Sequence, residues 1–308
     1  MDKEFLVRAL GGVDNSYSWA LYFFKVDRRN NNPYTAYKIR FKNGKYLPTY
    51  AKQLTEMIIK YQIGKIQDVK EYTGENAVIS CDFIDINNEL IKEQWDYFAE
   101  DIAQASDEKV KGKYNGYLLE GISEDKRKKA VAYLKIANPV ISLCNKRDAV
   151  FIFDANQDLA EFSDEICKLY MDVDCIVIDG IIYSFNYKFE DLFNLEKTMQ
   201  KVKNKALEII ISTDAFCDSE RFEQIAKAYK SPRTFITLKN ERVERIKSQS
   251  EREKIADMLN IGIDAEGRFD LEDDEKVSLF IRYLCFKIFR DDETKDLLEA
   301  NNVVCLSS

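Results

Sequence analysis

The chain has no histidine among its 308 residues. That excludes imidazole acid–base catalysis, Ser-His and Cys-His nucleophile pairs, and every His-ligated metal site. Any chemistry would rest on Asp, Glu, Lys, Tyr, Ser or Cys. Proline (4) and glycine (11) are scarce, which leaves little room for a disordered linker. The seven cysteines (Cys81, Cys144, Cys167, Cys175, Cys217, Cys285 and Cys305) show no C-x-x-C spacing, so a zinc ribbon is not expected. Most sit in apolar contexts such as VISCDF and YLCFKIF, as buried, reduced thiols of a cytosolic protein would. Nowhere do about 18 apolar residues run together. The N-terminus, MDKEFLVRALGG, has no apolar core of signal-peptide length. The sequence thus predicts a cytoplasmic protein that would need a partner to hold it at a membrane.

What is present is core-forming material: 45% apolar residues, with 17 Tyr and 19 Phe. The length suggests two domains. Net charge is −8, which taken alone argues against a dedicated nucleic-acid binder. The charge is unevenly spread, however. Residues 227–254 carry nine Lys/Arg against four Glu, a local +5 that leaves −13 for the remainder. Part of that acidity lies in DAEGRFDLEDDE (264–275).

The first half alternates between strand and helix patterns. SWALYFFKV and YTAYKIRF read as strands joined by the Asn-rich DRRNNNP loop. Leu47, Ala51, Leu54, Ile58 and Tyr61 recur at helical spacing. NAVISCDFI reads as a strand. NNELIKEQWDYFAEDIAQA reads as an amphipathic helix, with Asn87 or Asn88 as its cap. NGYLLEGI and KKAVAYLKI add two strands, and Pro139 marks a boundary. The expected fold is α+β with two mixed domains. Residues 1–138 would form a sheet with flanking helices. Residues 139–308 would form a sheet containing a β-hairpin, followed by helices over 188–212, 218–230, 244–259 and 273–289.

Asp179-Gly180, between CIVI and IIYSF, is a strong hairpin signal: a type I′ turn needs positive φ at both central residues. The turn accounts for Asp179 without catalysis. The alternative is a Mg²⁺-dependent nuclease using Asp154, Asp174 and Asp179, with Asp158 and Asp172 nearby. An acid-x-Lys on the following strand would support it, but the position two before Lys188 is Asn186. No phosphate-binding G-x-x-x-x-G-K-[ST], dinucleotide G-x-G-x-x-G or G-x-S-x-G elbow occurs.

The helix after the hairpin carries a charged stripe. Leu195, Met199, Val202, Ala206 and Ile209 form its expected apolar face, while Lys197, Lys201 and Lys205 recur every four residues. A solvated helix face explains three lysines. A phosphate backbone would also compensate their repulsion. Arg233, Lys239, Arg242, Arg245 and Lys247 extend the basic character, and EDKRKKA (124–130) is a third cluster. Glu241 and Glu244 alternate with Arg242 and Arg245, as in an ordinary ion-paired helix. Nothing here suggests base reading, so contact would be with the backbone.

Over residues 130–290 the sequence resembles the KwaB family of the bacterial Kiwa anti-phage defence system. The resemblance rests on the strand–turn–strand at 175–184, on Asn186, on Phe189, Glu190 and Phe193 opening a helix, and on the strand AVFIFD (149–154) upstream. It implies a cytosolic, DNA-binding defence protein with a KwaA-like integral membrane partner, and it brings no catalytic residue to carry over; no cofactor is expected. The joint expectation is a non-enzymatic, backbone-binding component. A Mg²⁺-dependent nuclease and a protein-interaction scaffold are the alternatives, and the abundant aromatics suggest a homodimer or higher homo-oligomer.

Overall fold

The computed structural model describes residues 2–74, 80–107, 113–125, 128–142, 150–153, 159–162, 165–229, 232–238, 240–271, 273–291 and 297–299. The chain forms two compact units, residues 1–72 with 76–193, and residues 73–75 with 194–308.

The first unit contains α1 (Lys3–Gly11), β1 (Tyr17–Val26), β2 (Tyr34–Ile39), α2 (Tyr46–Met57), β3 (Asp68–Glu71), β4 (Ser80–Asp85), α3 (Lys92–Ala103), β5 (Gly116–Ser123) and β6 (Val131–Lys135). Four short strands follow: β7 (Val140–Ser142) pairs with β10 (Glu165–Cys167), and β8 (Val150–Phe153) with β9 (Leu159–Phe162). The unit closes with β11 (Cys175–Ile178), β12 (Ile181–Ser184) and α4 (Lys188–Leu192).

Eight of these strands form one sheet, ordered β2-β1-β5-β6-β11-β12-β4-β3. Every neighbouring pair is antiparallel except β3 with β4. Because side chains alternate across a sheet, the register assigns each residue a face. One face carries Leu21, Phe23, Leu119, Tyr133, Ile176 and Tyr183, which pack with residues of α1 and α2. The opposite face carries Phe24, whose ring meets Phe98 of α3 edge-on at 5.2 Å. Both faces are covered, which is why the central strands are apolar runs rather than clean alternations. Gly121 has a packing reason. Trp19, its cross-strand partner, lies over it, and a Cβ there would come within 2.6 Å of the indole. Trp19 stacks on Tyr17 and Tyr133 at 5.8 and 5.9 Å.

The hairpin expectation at Asp179-Gly180 holds. Both residues have positive φ (51° and 74°), and Ile178 pairs with Ile181 across a two-residue turn. The hairpin's place differs from the expectation. β11 hydrogen-bonds β6 in the middle of the large sheet, so the two sides of Pro139 belong to one unit and the chain divides at 193/194. A proline punctuates local backbone, but strand pairing is settled by partners distant in sequence. The α+β class stands.

The second unit holds α5 (Leu195–Ile211), α6 (Ser219–Ala228), a 3₁₀ segment (Pro232–Thr237), α7 (Asn240–Arg245), α8 (Gln249–Leu259), the pair β13 (Gly262–Ile263) and β14 (Phe269–Asp270), α9 (Asp274–Leu284), and the pair β15 (Ile288–Arg290) and β16 (Leu297–Glu299). Its core is built round four phenylalanines. Phe216 and Phe222 stack at 4.1 Å, Phe280 meets Phe216 edge-on at 5.6 Å, and it lies tilted against Phe269 at 4.7 Å. The helix expected over 188–212 is broken at Asn194, which adopts a left-handed conformation (φ 51°) between α4 and α5.

Candidate nucleic-acid interface

The α5 stripe is exposed: Lys197, Lys201 and Lys205 all face outward. Lys197 and Lys205 have no carboxylate partner among the described residues. At about 1.5 Å rise per residue, Lys197 and Lys205 lie about 12 Å apart along the axis. The buried face of α5 differs from the pattern read in the sequence. Leu195, Met199, Ala206, Leu207 and Ile210 are buried, Val202 is half-buried and Ile209 is exposed. A fourth lysine, Lys203, is 1% exposed and donates to the carbonyls of Lys227 (2.8 Å) and Tyr229 (2.6 Å) at the end of α6. Burial lowers its pKa. A helix end leaves carbonyls without intrahelical donors, so this ammonium acts as an internal cap. Its charge gave it the look of a surface residue.

The basic segment 227–254 is also partly spent inside the fold. Arg252 is 8% exposed and donates to the carbonyls of Gly267 (2.6 Å), Ile246 (3.1 Å) and Lys247 (3.1 Å). Arg233 donates to the Gly74 carbonyl at 3.2 Å. Lys247 pairs with Glu244, three residues away. Lys239 lies outside the described residues.

Arg242 and Arg245 lead to a more specific arrangement. Together with Lys254, Ile255 and Met258 of α8, Tyr283 of α9, and Phe289 and Arg290 of β15, they line a recess of about 280 Å³. Arg242 is held in place. Its guanidinium lies 4.3 Å from the Tyr283 ring centroid and 3.8 Å from that of Phe286, and it donates to the Tyr283 carbonyl. Burial lowers its pKa below the ordinary guanidinium value. Glu251 bridges two of the other cations. It accepts from Arg245 Nε at 2.9 Å and Lys254 Nζ at 2.6 Å. These bonds, Lys254's foremost, hold its carboxyl below the usual range. Arg290 reaches Asp257 at 3.5 Å. Four cations therefore line the recess, with Glu251 and Asp257 among their partners. Phe289, 45% exposed, adds an aromatic face at the edge.

Chemically the arrangement suits an anion next to a planar group. Arginine presents donors in a fork that suits phosphate, and an exposed aromatic ring offers a stacking surface. Sequence reasoning found Arg242 and Arg245 but not Arg290, Tyr283 or Phe289, which lie about 40 residues downstream. Lys254 sat within the basic segment with nothing to single it out. No lining residue comes from α5, so the lysine stripe is not part of this recess.

Among the described residues, the carboxylates of the acidic alternative do not come together. Asp174 is 1% exposed, with Oδ2 accepting from the Ile136 amide (2.7 Å) and Oδ1 from Asn186 Nδ2 (2.7 Å) and Lys188 Nζ (3.3 Å). Lys135, itself buried, lies 3.7 Å from the same carboxylate and also pairs with Asp172. Asp179 pairs with Lys129 at the turn. Asp174 and Asp179 bracket β11, so at about 3.3 Å per residue they stand about 16 Å apart, too far to share one ion. Asp154 and Asp158 lie outside the described residues. Among the described residues no group of three or more acidic or thiol side chains could hold a metal.

Comparison with known proteins decides the family. The family described as Kiwa protein KwaB-like matches residues 115–294, more than half of the chain. The chain belongs to the KwaB-like family. It is therefore a Kiwa anti-phage defence component. The KwaB-like match runs from β5 through β15, so it takes in the central hairpin and every residue lining the basic recess. Neither a curated protein nor a solved structure matches the chain. No helix among the described residues is long and apolar enough to cross a membrane.

Proposed function

We propose that the protein binds DNA through its phosphate backbone as a non-enzymatic component of a Kiwa-type defence complex, with the basic recess of the second unit as the principal contact. The observation that carries this reading is the convergence of Arg245, Lys254 and Arg290 on one recess beside Phe289, with Arg242 held against Tyr283 in its wall. Phosphate contacts of this kind position the nucleic acid without reading its sequence. Lys197 and Lys205 on α5 supply a second, outlying phosphate contact. Arg242 and Arg233, whose guanidiniums donate to backbone carbonyls, are supports rather than contacts. An integral membrane partner of KwaA type holds the complex at the envelope, consistent with the family and with the lack of a spanning helix among the described residues.

The test is a fluorescence-anisotropy titration of the full chain with labelled duplex and single-stranded DNA across a salt series. The parent should lose affinity steeply with salt, since each phosphate neutralised contributes about 0.9 to the log–log slope on duplex. The K254E/R290E variant should bind at least about tenfold more weakly with a slope lower by about 2. K197E/K205E should weaken binding less. Unchanged affinity in K254E/R290E, with the fold intact by circular dichroism, would remove the recess from the interface.

A further inference from the structure

A cavity of about 370 Å³ lies in the first unit, between α3 and the face of the large sheet that α3 covers. That volume is within the range of small-molecule sites. Its origin is visible in the strand register. Ala20, Glu120, Ala132 and Val177 form one continuous cross-strand row on this face. Glu120 is thus flanked on both sides by alanine, and the Ala132 methyl, which lines the cavity, leaves open space that a larger cross-strand neighbour would fill. Above the row, Ala99 of α3 lines the cavity opposite the sheet and is itself exposed, which opens the space to solvent.

The walls and floor have distinct chemistry. Tyr22, Trp95 and Phe98 supply aromatic surface. Glu120 supplies a carboxylate that lines the cavity and hydrogen-bonds the Tyr22 hydroxyl. No lysine or arginine among the described residues pairs with Glu120. The other acid at the cavity, Asp179, is already paired with Lys129. Among the described residues the site therefore has one half-buried negative charge without a cation, beside three aromatic side chains. Carboxylate and aromatic faces together favour an ammonium group, the first by direct charge and the second through the ring quadrupole.

We infer that this cavity is a binding site for a small organic cation, an ammonium group carried on an apolar or aromatic body, with Glu120 as its anchor. The site is separate from the basic recess, and its chemistry is of opposite sign. It selects a positively charged ligand in a protein whose proposed partner is a polyanion.

The test uses three probes of one shape and three charges: phenethylamine, 2-phenylethanol and 3-phenylpropionate, titrated into the full chain by calorimetry at pH 7.5. The amine should bind, the alcohol at least about tenfold more weakly, and the carboxylate not at all. E120Q should bring the amine down to the affinity of the alcohol. A99F, a change at an exposed helix position that fills the cavity mouth, should abolish binding of both while leaving thermal unfolding unchanged. The inference is overturned if the amine fails to bind, if all three probes bind equally, or if A99F leaves the amine's affinity unaltered. A99F decides the matter should E120Q fail to fold.

Discussion

Asp82 offers a stability measurement with a defined sign. It sits on β4 at 3% exposure, between Ser184 of β12 and Lys70 of β3. Ser80 donates to Oδ1 at 3.3 Å, while Oδ2 has no hydrogen-bond partner. Burial raises the pKa from 3.8 to about 6, against the opposing pull of Lys70. A raised carboxylate pKa means that the folded chain holds its proton more tightly than the unfolded one. Stability should therefore fall as pH rises from about 4 to about 6 and then level off. Roughly two units at 1.36 kcal/mol each set a ceiling of about 3 kcal/mol. Residual solvation brings the expectation to about 2 kcal/mol. D82N removes the ionisation while keeping the shape. At pH 8 the variant should be more stable by about 2 kcal/mol, and the difference should vanish near pH 4. The assay is urea unfolding followed by tryptophan fluorescence. Both tryptophans, Trp19 and Trp95, lie in the first unit, so the signal reports the unit that holds Asp82. A D82N variant less stable than the parent at pH 8 would refute the reasoning. Asp82 would then be ionised and paired in the folded state, and its burial would carry no net cost.

Two further variants probe buried charge. K203M on α5 leaves the carbonyls of Lys227 and Tyr229 without their donor, and should destabilise the second unit by about 2–4 kcal/mol, read as a lower thermal midpoint. D174N strips the buried Lys135 of a carboxylate neighbour and should cost about 3 kcal/mol, with DNA affinity unchanged because Asp174 contributes nothing to the proposed contact.

Legibility in the sequence followed the range of the interactions concerned. The Asp179-Gly180 turn was plain because positive φ at two adjacent residues is a local requirement that few residues meet. The helix 46–57 was equally plain, since its buried Leu47, Ala51 and Leu54 obey the helical period. The family resemblance, too, was carried by residues around that hairpin. Less legible was everything that depends on partners far along the chain. The lysines of α5 look alike in sequence, yet Lys203 is buried beneath the end of α6 while Lys197, Lys201 and Lys205 are exposed. Pro139 looked like a boundary, but β6 and β11 on either side of it are hydrogen-bonded neighbours.

By itself, then, the sequence determined the absence of histidine chemistry, the α+β composition, the central turn and the basic bias of residues 227–254. Tertiary structure alone decided which charges remain available. It buried Arg252 and Lys203 against backbone carbonyls, set Arg290 and Phe289 beside Arg245 and Lys254, and flanked Glu120 with two alanines beneath an aromatic wall. The physical reason is that a side chain's charge is fixed by its identity, whereas its solvation and partners are fixed by which distant strands and helices pack around it.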